Sequence, residues 1–353
     1  MSVRGRSVAL LVAGCVTLLG ARAQAFVRSR TPDTSMPFYW VTPTATLEVT
    51  RPPDSFPIGP DAFHAAAEAA AQAWSYPTLA CTTVALDISA GFSDSDVVAP
   101  DGHNRIITRT GAWCRDPVAM TKCHDASQVA TTTVFSRSHP GALDDGQILE
   151  ADVEINYVGY EWAVIPDGDF SGRDYANAYD LRSALTHELG HFLGLAHDCV
   201  LPGEEQVRFD DSGQVSPACS ELPAEEATEL RASTMYPLMQ PADIQWRSLS
   251  SDDTRAACSL YARETLPIEG WCAVGASRDA APSLGVLLGT AALFAAALAI
   301  RSRRLEEVRL AARGLPARWS TLLQPRQHRE TTHELKVVLT SADGKSSRCR
   351  NES

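Results

Sequence analysis

Residues 187–198 read His-Glu-Leu-Gly-His-Phe-Leu-Gly-Leu-Ala-His-Asp. His187 and His191 are four apart, so on a helix they share one face. Two imidazoles so placed can hold one Zn²⁺ at about 2.0–2.1 Å each. Glu188 lies between them, placed to reach a water on the metal rather than the metal itself. Gly194 can take a positive φ, which stops the helix and turns the chain back. The turn brings in His197 as a third ligand and leaves a fourth position open. Three protein ligands plus water is a catalytic arrangement; structural zinc sites are closed by four protein ligands.

That spacing requires particular elements around it. The apolar residues Leu189, Phe192, Leu193 and Leu195 suit a helix buried in a core, predicted over 180–193. Asp61 is a candidate N-cap for an alanine-rich helix ending at Trp74, with Phe63, Ala66, Ala67, Ala70 and Trp74 as its apolar face. Strands are predicted over 38–50, 82–88, 104–109, 130–135 and 148–157. In the last of these Ala151, Val153 and Ile155 face one way and Asp152, Glu154 and Asn156 the other, the pattern of a half-buried strand. Residues 51–60 form a proline-rich loop and 198–230 a long loop region. Ser250 begins a last helix through Tyr261 with an N-terminal cap signature.

At the histidine run the chain resembles the metzincin zinc endopeptidases. Ser-Thr-Met-Tyr-Pro at 233–237 resembles their methionine turn, and Met235 stands 38 residues beyond His197. Within that family the wording is closest to bacterial-type matrixins. Asp198 departs from the matrixin serine and resembles the adamalysin branch, while Tyr236 falls one residue short of the extra ligand of astacins. The resemblance covers about 38–264. It implies an α+β fold, a twisted mixed sheet with the active-site helix below a substrate cleft. It implies Met235 as a hydrophobic floor below the zinc, and a strand of the 148–157 kind as the sheet edge along which substrate lies antiparallel. It implies a zinc-dependent endopeptidase cutting extracellular proteins, with His187, His191 and His197 as ligands and Glu188 as general base to a zinc-activated water. The competing class is a catalytically silent protein that keeps the fold for binding or adhesion. No histidine lies between His139 and His187, so the second, structural zinc of matrixins is not expected. A cysteine-bearing propeptide is not expected either. Asp144, Asp145, Asp152, Asp167, Asp169 and Asp174 could supply oxygens to Ca²⁺, or simply line solvated acidic loops. His64, His103, His124 and His139 lack ligand spacing and are read as surface residues.

The chain ends bound where this chemistry takes place. Residues 1–25 have the form of a secretory signal, with Arg4 and Arg6 before an apolar run and Ala23-Gln24-Ala25 as the cleavage pattern. A lipoprotein signal at Cys15 is the rival, disfavoured because the apolar run continues past it. Residues 265–280 form a stalk, and 281–300 carry no charge over about one bilayer crossing, against a buried core helix as the alternative. Arg301, Arg303 and Arg304 follow at once, the pattern of a basic cytoplasmic end. Residues 301–353 carry +6 in a chain of −12, leaving −18 on residues 1–300. That balance excludes nucleic acid as the main domain's partner. The expected partners are a protein or peptide substrate and the membrane, the expected location the cell surface or the medium; the sequence sets no oligomeric state. Of the exported cysteines, Cys114–Cys123 and Cys199–Cys219 are expected as local disulfides; thiolate zinc sites are the alternative, without any C-x-x-C to support them. Seven cysteines outside the signal and tail leave one over. The leftover is Cys272, whose place before the span resembles C-terminal surface-sorting tails, or which pairs with Cys258.

Overall fold

The computed structural model describes residues 26–167, 175–202, 208–263 and the backbone of 332–341. In chain order the elements are β1 (Thr44–Thr50), α1 (Pro60–Trp74), β2 (Ala85–Ser93), β3 (Asn104–Arg109), β4 (Cys114–Asp116), β5 (Thr121–Cys123), β6 (Gln128–Arg137), β7 (Ile148–Asn156), β8 (Glu161–Ala163), β9 (Ala178–Asp180), α2 (Leu181–Phe192), α3 (Ala224–Arg231), β10 (Leu238–Met239), α4 (Ser251–Leu260) and β11 (Thr332–Ser341). The class is α+β. The main sheet runs β10-β11-β6-β7-β3-β1-β2. It is mixed: β2, β1, β3 and β7 are mutually parallel, and β6 is antiparallel to β7.

Helix α1 buries the predicted face, Phe63, Ala66, Ala67, Ala70 and Trp74, against α2, where Trp74 Nε1 donates to the Thr186 carbonyl at 2.8 Å. Small alanines permit that close approach. Asp61 is not the cap. The helix starts at Pro60 after Gly59, because proline in the first turn has no N–H to lose. Asp61 sits inside that first turn, where its charge still favours the helix dipole.

Strand β7 differs from expectation in two ways. It lies between β6 and β3 rather than at the edge, and both its faces are buried. The acidic face is covered because donors meet it. The β4–β5 hairpin, closed by Cys114–Cys123, brings Arg115 and His124 to Glu154 at 3.1 and 3.2 Å, and Arg109 Nε donates to Glu154 at 2.9 Å. Burial would raise the Glu154 pKa, but His124, Arg109 and Arg115 outweigh it and hold it at about 2. Asp152 accepts from the Arg105 amide at 2.9 Å, and burial, then Glu150, pushes it up to about 8. Alternation of charged and apolar residues cannot distinguish a solvated face from one met by a charged lid. For the same reason His124 is no surface residue: its side chain is 3% exposed, whereas His103 is 53% exposed. His64 and His139 are half-buried.

Other departures concern boundaries. Residues 26–37, which precede the 38–264 covered by the resemblance, are part of the domain: Phe26 and Val27 are buried, and the Ser29 amide donates to the Gly194 carbonyl at 2.9 Å. The loop after His197 contains α3, whose single buried residue, Leu230, gives too little periodicity to betray a helix. Both expected disulfides form, and a third joins Cys81 to Cys258 across 177 residues. Cys258 is therefore not the partner of Cys272, which lies outside the described residues. So do the signal at 1–25, the stalk at 265–280 and the apolar run at 281–300. Among the described residues no helix is long and apolar enough to cross a membrane. The tail is not a separate segment throughout, since β11 joins the main sheet antiparallel to β6. Strands bonded to each other lie on one side of any membrane, so a single crossing at 281–300 and the β6–β11 pairing are mutually exclusive arrangements.

Candidate metal centre

Helix α2 is buried almost throughout. Its start is fixed by Asp180, which accepts from the Ser183 amide at 2.9 Å and from Arg247 Nε at 2.8 Å. Its end is a turn at Gly194 with φ of 91°. A Cβ there would come within 3.0 Å of the Phe38 carbonyl, so both φ and space call for glycine. The chain turns back, and His197 meets the two helix histidines.

His187, His191 and His197 are all fully buried. Nε2 of His191 lies 3.0 Å from Nε2 of His187 and 3.1 Å from Nε2 of His197. Nδ1 of His187 sits 2.6 Å from the Thr234 carbonyl and Nδ1 of His191 2.9 Å from the Leu195 carbonyl. A carbonyl only accepts, so each Nδ1 carries the proton and each Nε2 presents its lone pair to the others. Burial lowers the His187 pKa to about 4. His191 and His197 are pushed well down, by burial first and then by their neighbours. Three buried imidazoles whose Nε2 atoms converge, two of them with the lone pair fixed inward, favour a cation among them, and neutral imidazole is the form that ligates metal. The donor set thus fits a divalent ion of the zinc kind. Among the described residues it is the one group of three or more such side chains that converges on a common point.

Glu188 is also fully buried. Its Oε2 accepts from the Thr132 hydroxyl at 2.5 Å, and its Oε1 has no partner among the described residues. Burial raises its pKa to about 8, against the Thr132 bond, which lowers it. Met235 packs beneath α2: a Cβ at Gly190 would collide with its sulfur. Two carboxylate bonds hold that turn, from the Ser233 hydroxyl and the Thr234 amide to Asp253 at 3.2 and 3.0 Å. Asp253 is at the same time the capping-box residue of α4. Trp246 stacks on His187, centroids 5.5 Å apart.

The sequence singled out the three histidines that converge, Glu188 on the same helix and Met235, which packs beneath it. It missed Thr132, Asp253 and Trp246. Asp253 had a signal, its place in the cap signature at Ser250; a threonine in a β-prone run and a lone tryptophan had none. The calcium candidates are not brought together. Asp144 pairs with Arg137 at 2.8 Å, Asp145 accepts from the His139 amide at 3.2 Å, and Asp167 pairs with Arg247 at 2.6 Å. Asp152 is inside the sheet, and Asp169 and Asp174 lie outside the described residues. No protein-family model matches the chain.

Proposed function

We propose that the chain is a zinc-dependent endopeptidase of the matrixin-like metzincin kind, acting on proteins outside the cell. The observation that carries this reading is the convergence of three buried, neutral imidazoles next to a carboxylate with one oxygen held and the other without a partner among the described residues. His187, His191 and His197 would hold the zinc, which would supply Lewis acidity toward the scissile carbonyl and toward water. His187 and His191 stay oriented because Thr234 and Leu195 hold their second nitrogens. A cation held by the three imidazoles would oppose the effect of burial and favour the carboxylate form of Glu188, whose Oε1 would take the proton of the attacking water and deliver it to the leaving amine. Thr132 is a positioning residue that keeps Oε1 turned toward the reacting atoms. Three disulfides and the signal-like start support an exported site of action. The silent binding protein remains the second class; the intact Glu188, with Oε1 unpartnered among the described residues, favours the enzyme.

The metal claim has a direct test. The full chain is expected to bind one zinc, and whatever peptide hydrolysis it shows is expected to be lost when 1,10-phenanthroline removes the metal and to return on zinc addition. His197→Ala is expected to lower zinc occupancy and activity together. Hydrolysis that survives zinc removal contradicts the reading.

Thr132→Val tests the positioning role. Losing a hydrogen bond to a charged group costs about 1.5–3 kcal/mol, so kcat is expected to fall about 10-fold or more, with KM and zinc content unchanged. Wild-type kcat in that variant would show that Glu188 is held without Thr132.

A further inference from the structure

We propose that the chain carries its own plug: Thr332–Ser341 fills the groove leading to the metal centre and keeps the protein latent. The proposal rests on the endopeptidase reading for its consequence, and on strand pairing for its geometry.

Strand β6 is bonded to β7 on one side and to β11 on the other. The β11 pairing is antiparallel and continuous from Thr332 opposite Arg137 to Leu339 opposite Ala130, with an irregularity only before Thr340. On its far side β11 runs parallel to β10, Thr340 opposite Leu238 and Ser341 opposite Met239. These two neighbours are the two sides of the centre. β6 carries Thr132, which holds Glu188. β10 begins three residues after Met235, which packs beneath the histidine helix. The register position opposite Thr132 is Val337, so the tail passes the centre at mid-strand. β11 also lies against α2.

Without β11, β6 and β10 face each other across the space of one strand. An extended peptide entering there would use the same outward N–H and C=O groups of β6 that β11 now uses. Each such group serves one partner strand at a time, so tail and substrate exclude each other. Tethering in one chain gives the tail the advantage of an intramolecular partner. No cysteine-bearing propeptide is expected from the sequence, and a C-terminal strand supplies latency by another route.

The test uses the full zinc-loaded chain and its Val337→Pro/Val338→Pro form. In an antiparallel pair, adjacent residues alternate between bonded and non-bonded positions, so two neighbouring prolines must strike the ladder. The expected result has four parts. Zinc content is kept, amide exchange in Gln128–Arg137 becomes faster, a labelled Thr332–Ser341 peptide binds the variant but not the wild type, and a quenched peptide is cut at least 10-fold faster. Unchanged exchange in Gln128–Arg137 overturns the plug. Faster exchange without peptide binding, or without faster cutting by an enzyme that is active, overturns it as well. If neither form cuts while exchange and peptide binding change as expected, the endopeptidase reading fails and the groove assignment stands. If the proline form does not fold, a specific-protease site introduced between residues 316 and 322 lets the folded chain be cut first, diluted, and read in the same ways.

Discussion

Glu188→Gln is expected to keep one zinc per chain and lose at least about 100-fold in peptide hydrolysis, the low end of general-base contributions. The substitution is nearly isosteric. It retains an oxygen for the Thr132 hydroxyl, which now donates to Oε2 at 2.5 Å, and it touches none of the bonds that hold His187 and His191. What it removes is the proton-accepting capacity of Oε1, the oxygen without a partner among the described residues. Because the site is fully buried, bulk water is poorly placed to take over. Zinc analysis and kcat measured on the same preparation separate the two effects. A zinc-replete Glu188→Gln protein with wild-type kcat contradicts the mechanism.

The largest expected effect on stability lies on the other face of the sheet. Glu154→Gln leaves Arg109, Arg115 and His124 gathered around a neutral amide. Arg109 and Arg115 are only 4% and 14% exposed. Removing one partner of a buried ion pair costs about 3–5 kcal/mol, which urea unfolding at neutral pH reads as a lower midpoint. The pH dependence has a definite sign. Glu154 titrates at about 2 in the folded chain against an ordinary value of 4.5. Its contribution is therefore fully present above about pH 4.5 and is lost as pH falls toward 2. The wild type should lose its advantage over Glu154→Gln across that window. A constant gap between the two proteins down to pH 2 would show that Glu154 does not contribute as a carboxylate.

The centre was legible in the sequence because its chemistry is local. His187, Glu188, His191, Gly194 and His197 lie within 11 consecutive residues, and helix geometry plus one glycine turn suffices to assemble them. The helix faces of α1 and α2 and two disulfides were legible for the same reason. What the sequence hid are contacts between distant segments. Thr132 and Glu188 are 56 residues apart and Cys81 and Cys258 177 apart, and no spacing rule links them. The order of strands was hidden as well. A chain with alternating residues in β7 gives no sign that β7 lies inside the sheet between β6 and β3, nor that a segment past residue 331 returns to pair with β6.

The most direct measurement is incubation of the zinc-loaded chain, as wild type and as Val337→Pro/Val338→Pro, with a defined peptide library in H₂¹⁸O, read by mass spectrometry. Hydrolysis at internal peptide bonds, with ¹⁸O in the new carboxyl termini and none formed after zinc removal, is the predicted result. Peptides left intact by both zinc-replete proteins would contradict the assignment of this centre to peptide-bond hydrolysis.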